Sequence, residues 1–553
     1  MGKSDKMQHF EGVILTLAIL VALSAIADRG KFPFPILLVI TGAIVGVIPG
    51  FPLLILDPDV VFLLFLPPLL FDAASQTSWH DFRAEILPIS TLGIILVFFT
   101  TLAVAVAAHH FIPEFSWPLS FALGAIVSPP DAVAATSITK GLKLNKRVLT
   151  ILEGESLVND ASALIAYRFA IVAISTGSFV LWHAGLQFLL LICGGILAGV
   201  ITGYVFVITH KKITHSSIVS TSLTLLTPFI SYIFAEQLHA SGVLAVVTAG
   251  LFISWRAPQI FSYQTRIRSK SVWDTLVYLL NGFIFLLIGQ QLPGVLKDLE
   301  KYSIAILLLY GLIISIVVII VRITWVFATA FSQNIIWDKK APADLKDIQD
   351  ERVNTWRNVL IVAWTGTRGI VSLATALALP LTLVGSNPFP QRSLILFLTF
   401  VVIFVTLVVQ GMSIPLLIRI LGVRPVNQPF KEEHELQLFL AQSIIYFIEN
   451  ELPVNLDEKV KEQLKVRYEV TITQLIKKIG KDSEHRIDQE EEPLPIHLPP
   501  ILVAQAEISK FQRELLFRLH KEGAYDNQTI RKLEQELDEE DVRLNRLLKK
   551  EEE

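Results

Sequence analysis

Apolar residues fall in long uninterrupted runs, separated by short polar joints. About thirteen runs are long enough, or nearly so, to cross a bilayer as helices: residues 10–27, 34–49, 58–75, 86–108, 118–138, 148–175, 181–208, 217–236, 240–254, 272–292, 303–331, 355–380 and 392–422. A hydrocarbon core about 30 Å thick needs about 20 mostly apolar residues in helical form. In lipid the backbone must satisfy its own hydrogen bonds, which leaves helices as the reading for runs of this length. After Gly422 the pattern changes: charges become frequent, and apolar residues such as Phe511, Leu515, Leu516 and Leu519 recur at helical spacing. The chain therefore divides into a membrane domain, residues 1–422, and a cytosolic helical region, residues 423–553, itself split by the proline-rich stretch 493–500.

Two runs contain interruptions that a continuous helix does not tolerate. The fifth carries Ser128-Pro129-Pro130-Asp131. Each proline removes a backbone donor and clashes with the turn before it, so two half-helices joined by extended backbone are predicted. The twelfth carries Thr365-Gly366-Thr367-Arg368-Gly369, where Gly366 and Gly369 permit an unwound chain. Irregular backbone at membrane depth survives only where it is buried in protein or lines a cavity. The two interruptions are seven spans apart, and an odd offset inverts the topology of a repeat. Inverted repeats with crossed broken helices at the midplane are a design of secondary transporters.

Composition agrees: of 553 residues 52% are hydrophobic and only 18% charged, and the mean hydropathy is +0.57. Soluble domains carry about 25% charged residues. The first run follows Lys3 and Lys6 without a small-residue cleavage motif and reads as a retained span. The single cysteine, Cys193, excludes an intramolecular disulfide and a cysteine-cluster metal site. Lysines and arginines concentrate in alternate joints, at 140–147, 211–212, 256–270 and 339–357, whereas 110–117, 176–180 and 237–239 hold none. The positive-inside rule places the first set, and the tail, in the cytoplasm. Histidines 80, 109, 110, 183, 210, 215 and 239 sit mostly at span ends and read as interfacial.

Polar groups inside a span mark function by default. The sixth run opens Glu153-Gly154-Glu155-Ser156-Leu157-Val158-Asn159-Asp160. Ser156 and Asp160 share one helix face, and Glu155 and Asn159 share the adjacent one. Carboxylate, hydroxyl and carbonyl oxygens suit a hard cation. No phosphate-binding loop or dinucleotide fingerprint occurs, so an enzyme reading has no support. A passive cation channel and a membrane-anchored sensor acting through the tail stay open at this point.

The strings Leu66-Pro67-Pro68-Leu69-Leu70-Phe71-Asp72-Ala73, Ser128-Pro129-Pro130-Asp131-Ala132-Val133-Ala134, Gly154-Glu155-Ser156-Leu157-Val158-Asn159-Asp160 and Gly366-Thr367-Arg368-Gly369-Ile370-Val371-Ser372-Leu373 resemble the monovalent cation–proton antiporters, in their bacterial sodium–proton branch, over residues 10–422. The resemblance implies a plasma-membrane exchanger of sodium, lithium or potassium for protons that serves pH and sodium homeostasis. It implies a homodimer in lipid with no cofactor and no nucleic-acid partner. It implies that Asp160 binds cation and proton in turn, with Asp131, Ser156 and Asn159 completing the site, Asp160, Asp131 and Ser156 as sodium ligands, and Asp72 at the edge. Glu155 and Arg368 would form a structural ion pair between the sixth and twelfth spans. Ser128, Pro129, Pro130, Gly366 and Gly369 would supply the broken-helix backbone. The Asn-Asp pair resembles electroneutral members. Three departures stand out: Pro130-Asp131-Ala132 where many relatives have Thr-Asp-Pro, Asn281 where animal relatives have an acid, and a tail unlike the animal regulatory tails.

Overall fold

A computed structural model describes residues 3–27, 34–49, 58–131, 146–176, 181–213, 216–338, 356–383, 388–421, 428–454, 456–479, 499–522 and 527–552, with Phe51 and Tyr525. The second half of the fifth span, most of the basic joints at 140–147 and 339–357, and the proline-rich stretch 493–500 expected from the sequence, except Pro499 and Pro500, lie outside the described residues.

Among the described residues every regular element is a helix, and a lone bridge between Thr382 and Pro388 is the β pairing present. The membrane helices are α1 Lys3–Ala27, α2 Phe34–Val47, α3 Pro58–Gln76, α4 Ile86–Phe111, α5 Trp117–Val127, α6 Lys146–Thr176, α7 Leu181–Ile213, α8 Ser217–Gln237, α9 Gly242–Ile260, α10 Tyr263–Asp298, α11 Ile304–Asp338, α12 Trp356–Trp364, α13 Ile370–Leu377 and α14 Arg392–Leu421. Seven of them (α4, α6, α7, α8, α10, α11 and α14) are long and apolar enough to cross a bilayer, and α1, α2, α3, α5 and α9 contain shorter apolar stretches. The chain is a multi-pass membrane protein.

Local sequence explains where the short ones stop. Helix α5 starts with a proline in its first turn, where the missing donor is harmless, and it ends at Val127 because Pro129 and Pro130 cannot extend it. Helices α12 and α13 are the two halves of the twelfth span, separated by non-helical residues 365–369. Two helices carry a π turn, Thr91–Ile95 in α4 and Thr406–Gly411 in α14. Such turns are rare and concentrate near functional sites. Here the first packs Gly93 against Val158 and Asn159 of α6, and the second supplies Thr406 to the break in the twelfth span.

The membrane core converges around α6. Leu92 and Leu96 of α4, Val148 and Leu152 of α6, Val326 of α11, Ile361 and Val362 of α12, and Ile414 and Ile418 of α14 form one buried apolar cluster. It packs α12, the half-helix before the twelfth-span break, against longer helices.

The chain packs as two units. The first comprises Met1–His215, Val219–Arg256 and Lys270–Pro425, and the second Ser216–Ile218, Ala257–Ser269 and Val426–Glu553. The second unit holds α15 Gln428–Asn450, α16 Glu458–Ile479, α17 Pro499–Glu522 and α18 Asn527–Glu552. The stripe seen in the sequence forms its core: Leu516 and Leu519 join Leu436, Leu440, Ile530, Leu533 and Leu537, with Leu515 packed alongside. Phe511 stacks on Phe447 at 4.3 Å. This unit also takes in residues 257–269, where the Arg266 guanidinium bonds both oxygens of buried Asp538 and Arg513 reaches the same carboxylate at 2.7 Å. A joint between two membrane helices is thus part of the tail's fold.

Candidate functional site

The non-helical residues 128–131 that follow α5 meet the break in the twelfth span. The Asp131 amide donates to the Thr367 carbonyl at 2.7 Å, and the Thr367 hydroxyl donates to the Asp131 carbonyl at 3.2 Å. Two extended segments therefore satisfy each other where neither can form helix bonds, as buried backbone requires. The Asp131 carboxylate accepts from the Ile370 amide at 3.4 Å, at the first residue of α13. Arg368 Nε donates to the Val127 carbonyl at 2.9 Å, at the last residue of α5. An acid thus sits at the positive start of one half-helix and a cation at the negative end of the other. Each segment supplies the counter-charge that the other needs.

Close approach makes glycine obligatory here. A β-carbon on Gly369 would stand 1.7 Å from Asp131 Oδ2, far inside contact. The Thr406 hydroxyl, in the α14 π turn, accepts from the Arg368 amide at 3.1 Å and fixes the unwound strand from behind.

Helix α6 runs past this crossing. Asn159 Nδ2 donates to the Pro130 carbonyl at 2.9 Å, while its Oδ1 is buried with no partner among the described residues. Asp160 is buried, and Asp131 lies near enough for their charges to repel. No hydrogen bond or ion pair to Asp160 occurs among the described residues. Ser156 lies half-buried one turn earlier on the same face. Asp131, Asn159 and the backbone of Pro130, Thr367 and Gly369 are therefore brought together, with Asp160 and Ser156 on the adjoining helix face. Asp72 is placed otherwise: on α3 it accepts from Gln76 at 2.8 Å, and its acidic neighbour is Asp274 of α10.

One expectation is corrected. Glu155 does not pair with Arg368 but with Arg322 of α11, through Arg322 Nη1 to Oε1 at 2.5 Å and Nη2 to Oε2 at 2.9 Å. Arg322 also donates to the Val362 carbonyl at 3.1 Å. Arg368 bonds the carbonyls of Val127 and Gly366, with the Glu155 charge near it but not paired to it. Glu155 lies on a different face of α6 from Asp160, and that face looks to α11. The missed residue had a signal. Arg322 is the lone charge inside the most apolar span of the protein, and a charge at that depth points to a built partner.

Together the helical scaffold, the pairing of Asp131 with the break in the twelfth span and a buried acid beside it, without a side-chain partner among the described residues, fit a membrane carrier of the secondary-transporter class. The family model described as sodium/hydrogen exchanger, transmembrane, matches residues 14–420, and the chain belongs to that family. It is 30% identical over 550 residues to an uncharacterized Na+/H+ exchanger of Mycobacterium tuberculosis, covering 97% of each chain. It is 32% identical over 416 residues to a sodium, potassium, lithium and rubidium/H+ antiporter of Bacillus subtilis, covering 73% of this chain and 61% of that protein. Among solved structures it matches the sodium proton antiporter MjNhaP1 of Methanocaldococcus jannaschii with a TM-score of 0.58 at 20% identity, over 76% of this chain and all of that one. That likeness concerns the fold.

Proposed function

We propose that the protein exchanges sodium for protons across the plasma membrane, one for one, with Asp160 as the group that each ion occupies in turn. The observation that carries this reading is the commitment of both buried arginines elsewhere. Arg322 is held by Glu155 and Arg368 by backbone carbonyls, which leaves Asp160 without a counter-ion among the described residues. An isolated buried carboxylate is too costly to leave empty and charged, so it binds a proton or a cation. The two occupants exclude each other, and exchange needs no further chemistry.

The charges of the region support the stoichiometry. Asp131, Glu155 and Asp160 face Arg322 and Arg368, an excess of one negative charge. One sodium ion or one proton neutralises it. The empty site is the expensive state to carry across a low-dielectric barrier, and this asymmetry enforces coupling. For sodium, the Asp160 carboxylate, the unpartnered Asn159 carbonyl oxygen, Asp131 and the Ser156 hydroxyl offer oxygen ligands of the right hardness. Glu155 and Arg322 brace α6 against α11, and Asp72 lies outside this set. The basic joints and the tail face the cytoplasm, and two copies associate in the bilayer as the family resemblance implies.

In everted vesicles loaded with acid inside, added sodium should release protons from the lumen, and Asp160→Asn should abolish the response while the protein remains folded and inserted. A folded Asp160→Asn that still exchanges removes this reading. A sodium-dependent response that builds up a membrane potential removes the one-for-one stoichiometry.

A further inference from the structure

The face of α6 that presents Asp160 continues in the direction away from the basic joints. Leu164, Tyr167 and Arg168 follow at four, seven and eight residues, the spacing that stacks side chains along one side of a helix. Immediately beyond Leu164 lies a cavity with room for about one water. Phe62 and Leu66 of α3, Leu164, Arg168, Tyr232 of α8 and Ser241 line it. At its margin Arg168 Nη2 bonds Glu236 Oε1 on α8 at 2.6 Å, with the Tyr232 hydroxyl also against the guanidinium. The same Glu236 oxygen accepts the Gly242 amide at 3.1 Å, at the first residue of α9. The fit is close: a β-carbon on Gly242 would come within 2.7 Å of the Tyr232 ring and 2.9 Å of Glu236.

The geometry points to the Arg168–Glu236 pair as a latch that closes the route between Asp160 and the outer face, and that opens in each transport cycle. This inference rests on the exchange reading above. Three features support a joint that opens over one that merely holds. First, the pair bridges the helix that carries the binding carboxylate and the α8–α9 turn, so any motion that uncovers Asp160 on that side must separate them. Secondly, it is only half-buried, with side chains 42% and 31% exposed, and it is joined by one close contact. A pair joined at one point is easier to part than a buried bidentate one, which strands a fully enclosed charge. Thirdly, Glu236 keeps a backbone partner in Gly242, so its carboxylate is not orphaned when Arg168 leaves. The cavity beneath is the water-sized remnant of the closed route, with Leu164 as the apolar step that separates it from Asp160.

The test uses the full-length protein with Cys193→Ser and Leu164→Cys, in right-side-out and everted vesicles, with a membrane-impermeant charged thiol reagent. Glu236→Gln removes the charge but keeps an acceptor for the Gly242 amide. It should raise labelling from the outer face at least fivefold and leave labelling from the inner face unchanged. Arg168→Gln should do the same, and the charge swap Arg168→Glu with Glu236→Arg should return labelling to within twofold of the parent. The single variants should also shift the apparent KM for sodium at the outer face at least threefold. Labelling unchanged in both single variants, equal increases from both faces, or a swap that fails to restore protection overturns the latch. Labelling does not depend on turnover, so the two readings fail separately. A parent that exchanges with labelling unmoved by the variants loses only the latch. A parent that shows no sodium-dependent proton flux while the variants open the route loses the exchange reading.

Discussion

Two of the ion pairs on helix α6, Glu155 with Arg322 on one side of Asp160 and Arg168 with Glu236 on the other, differ in nearly every physical respect. The first is buried, with side chains 2% and 1% exposed, joined by two bonds and supported by a third to the Val362 carbonyl. The second is half-exposed and joined at one point. In a low-dielectric interior, removing one partner strands a charge, so the first pair can only persist intact. The second pair, joined at one point and less enclosed, strands less charge when it parts than a buried bidentate pair does. One helix is thus braced at one end and releasable at the other.

Substitutions can break this contrast, beginning with the site between the pairs. Asp160→Asn should lower sodium-dependent proton flux at least about a hundredfold with the protein still folded, as vesicle dye quenching and detergent gel filtration would show. Next, Arg322→Met or Glu155→Gln alone should cost roughly 3–5 kcal/mol, visible as loss of folded protein in a thermal melt monitored by gel filtration. The double variant Glu155→Leu with Arg322→Met should recover much of that loss, because an apolar pair of similar volume strands no charge. If the single variants melt like the parent, the brace has been misjudged. Gly369→Ala should fold poorly or lose most of its exchange, since the new methyl group must displace the Asp131 carboxylate. Thr406→Val deletes the acceptor for the Arg368 amide and should cost about 1–3 kcal/mol. The smallest change is expected at the outer pair: Glu236→Gln should shift stability by about 1 kcal/mol or less, although it alters access. A large destabilisation there would erase the distinction between the two pairs.

Much of this architecture was legible in the sequence, for reasons that can be named. Apolar run length set the spans, because a bilayer fixes helix length and forbids unpaired backbone. Pro129-Pro130 and Gly366-Thr367-Arg368-Gly369 announced the breaks because each defeats helix bonding locally. What could not be read was partner choice. Whether Glu155 meets Arg322 or Arg368 depends on the rotation of α6 against α11 and on carbonyls that exist only once two helices have been interrupted. The capture of residues 257–269 by the tail was equally hidden, because Asp538 looks like any other acid in a charged helix until its helix is packed. The neighbours of Asp72, Gln76 on α3 and Asp274 on α10, were not legible either.

The crossed breaks also bear on how the protein is made. Asp131 and the Ile370 amide that it meets are 239 residues apart, and Arg368 reaches back 241 residues to Val127. During synthesis the fifth span emerges with its acid and bare carbonyls long before the twelfth exists to answer them. Until then the Asp131 carboxylate and the Val127 carbonyl lack the twelfth-span partners of the folded protein, and contacts of such sequence separation form late. The support around the site is therefore completed late in biogenesis, and a chain truncated before about residue 370 has the proposed ligands without the segment that holds Asp131.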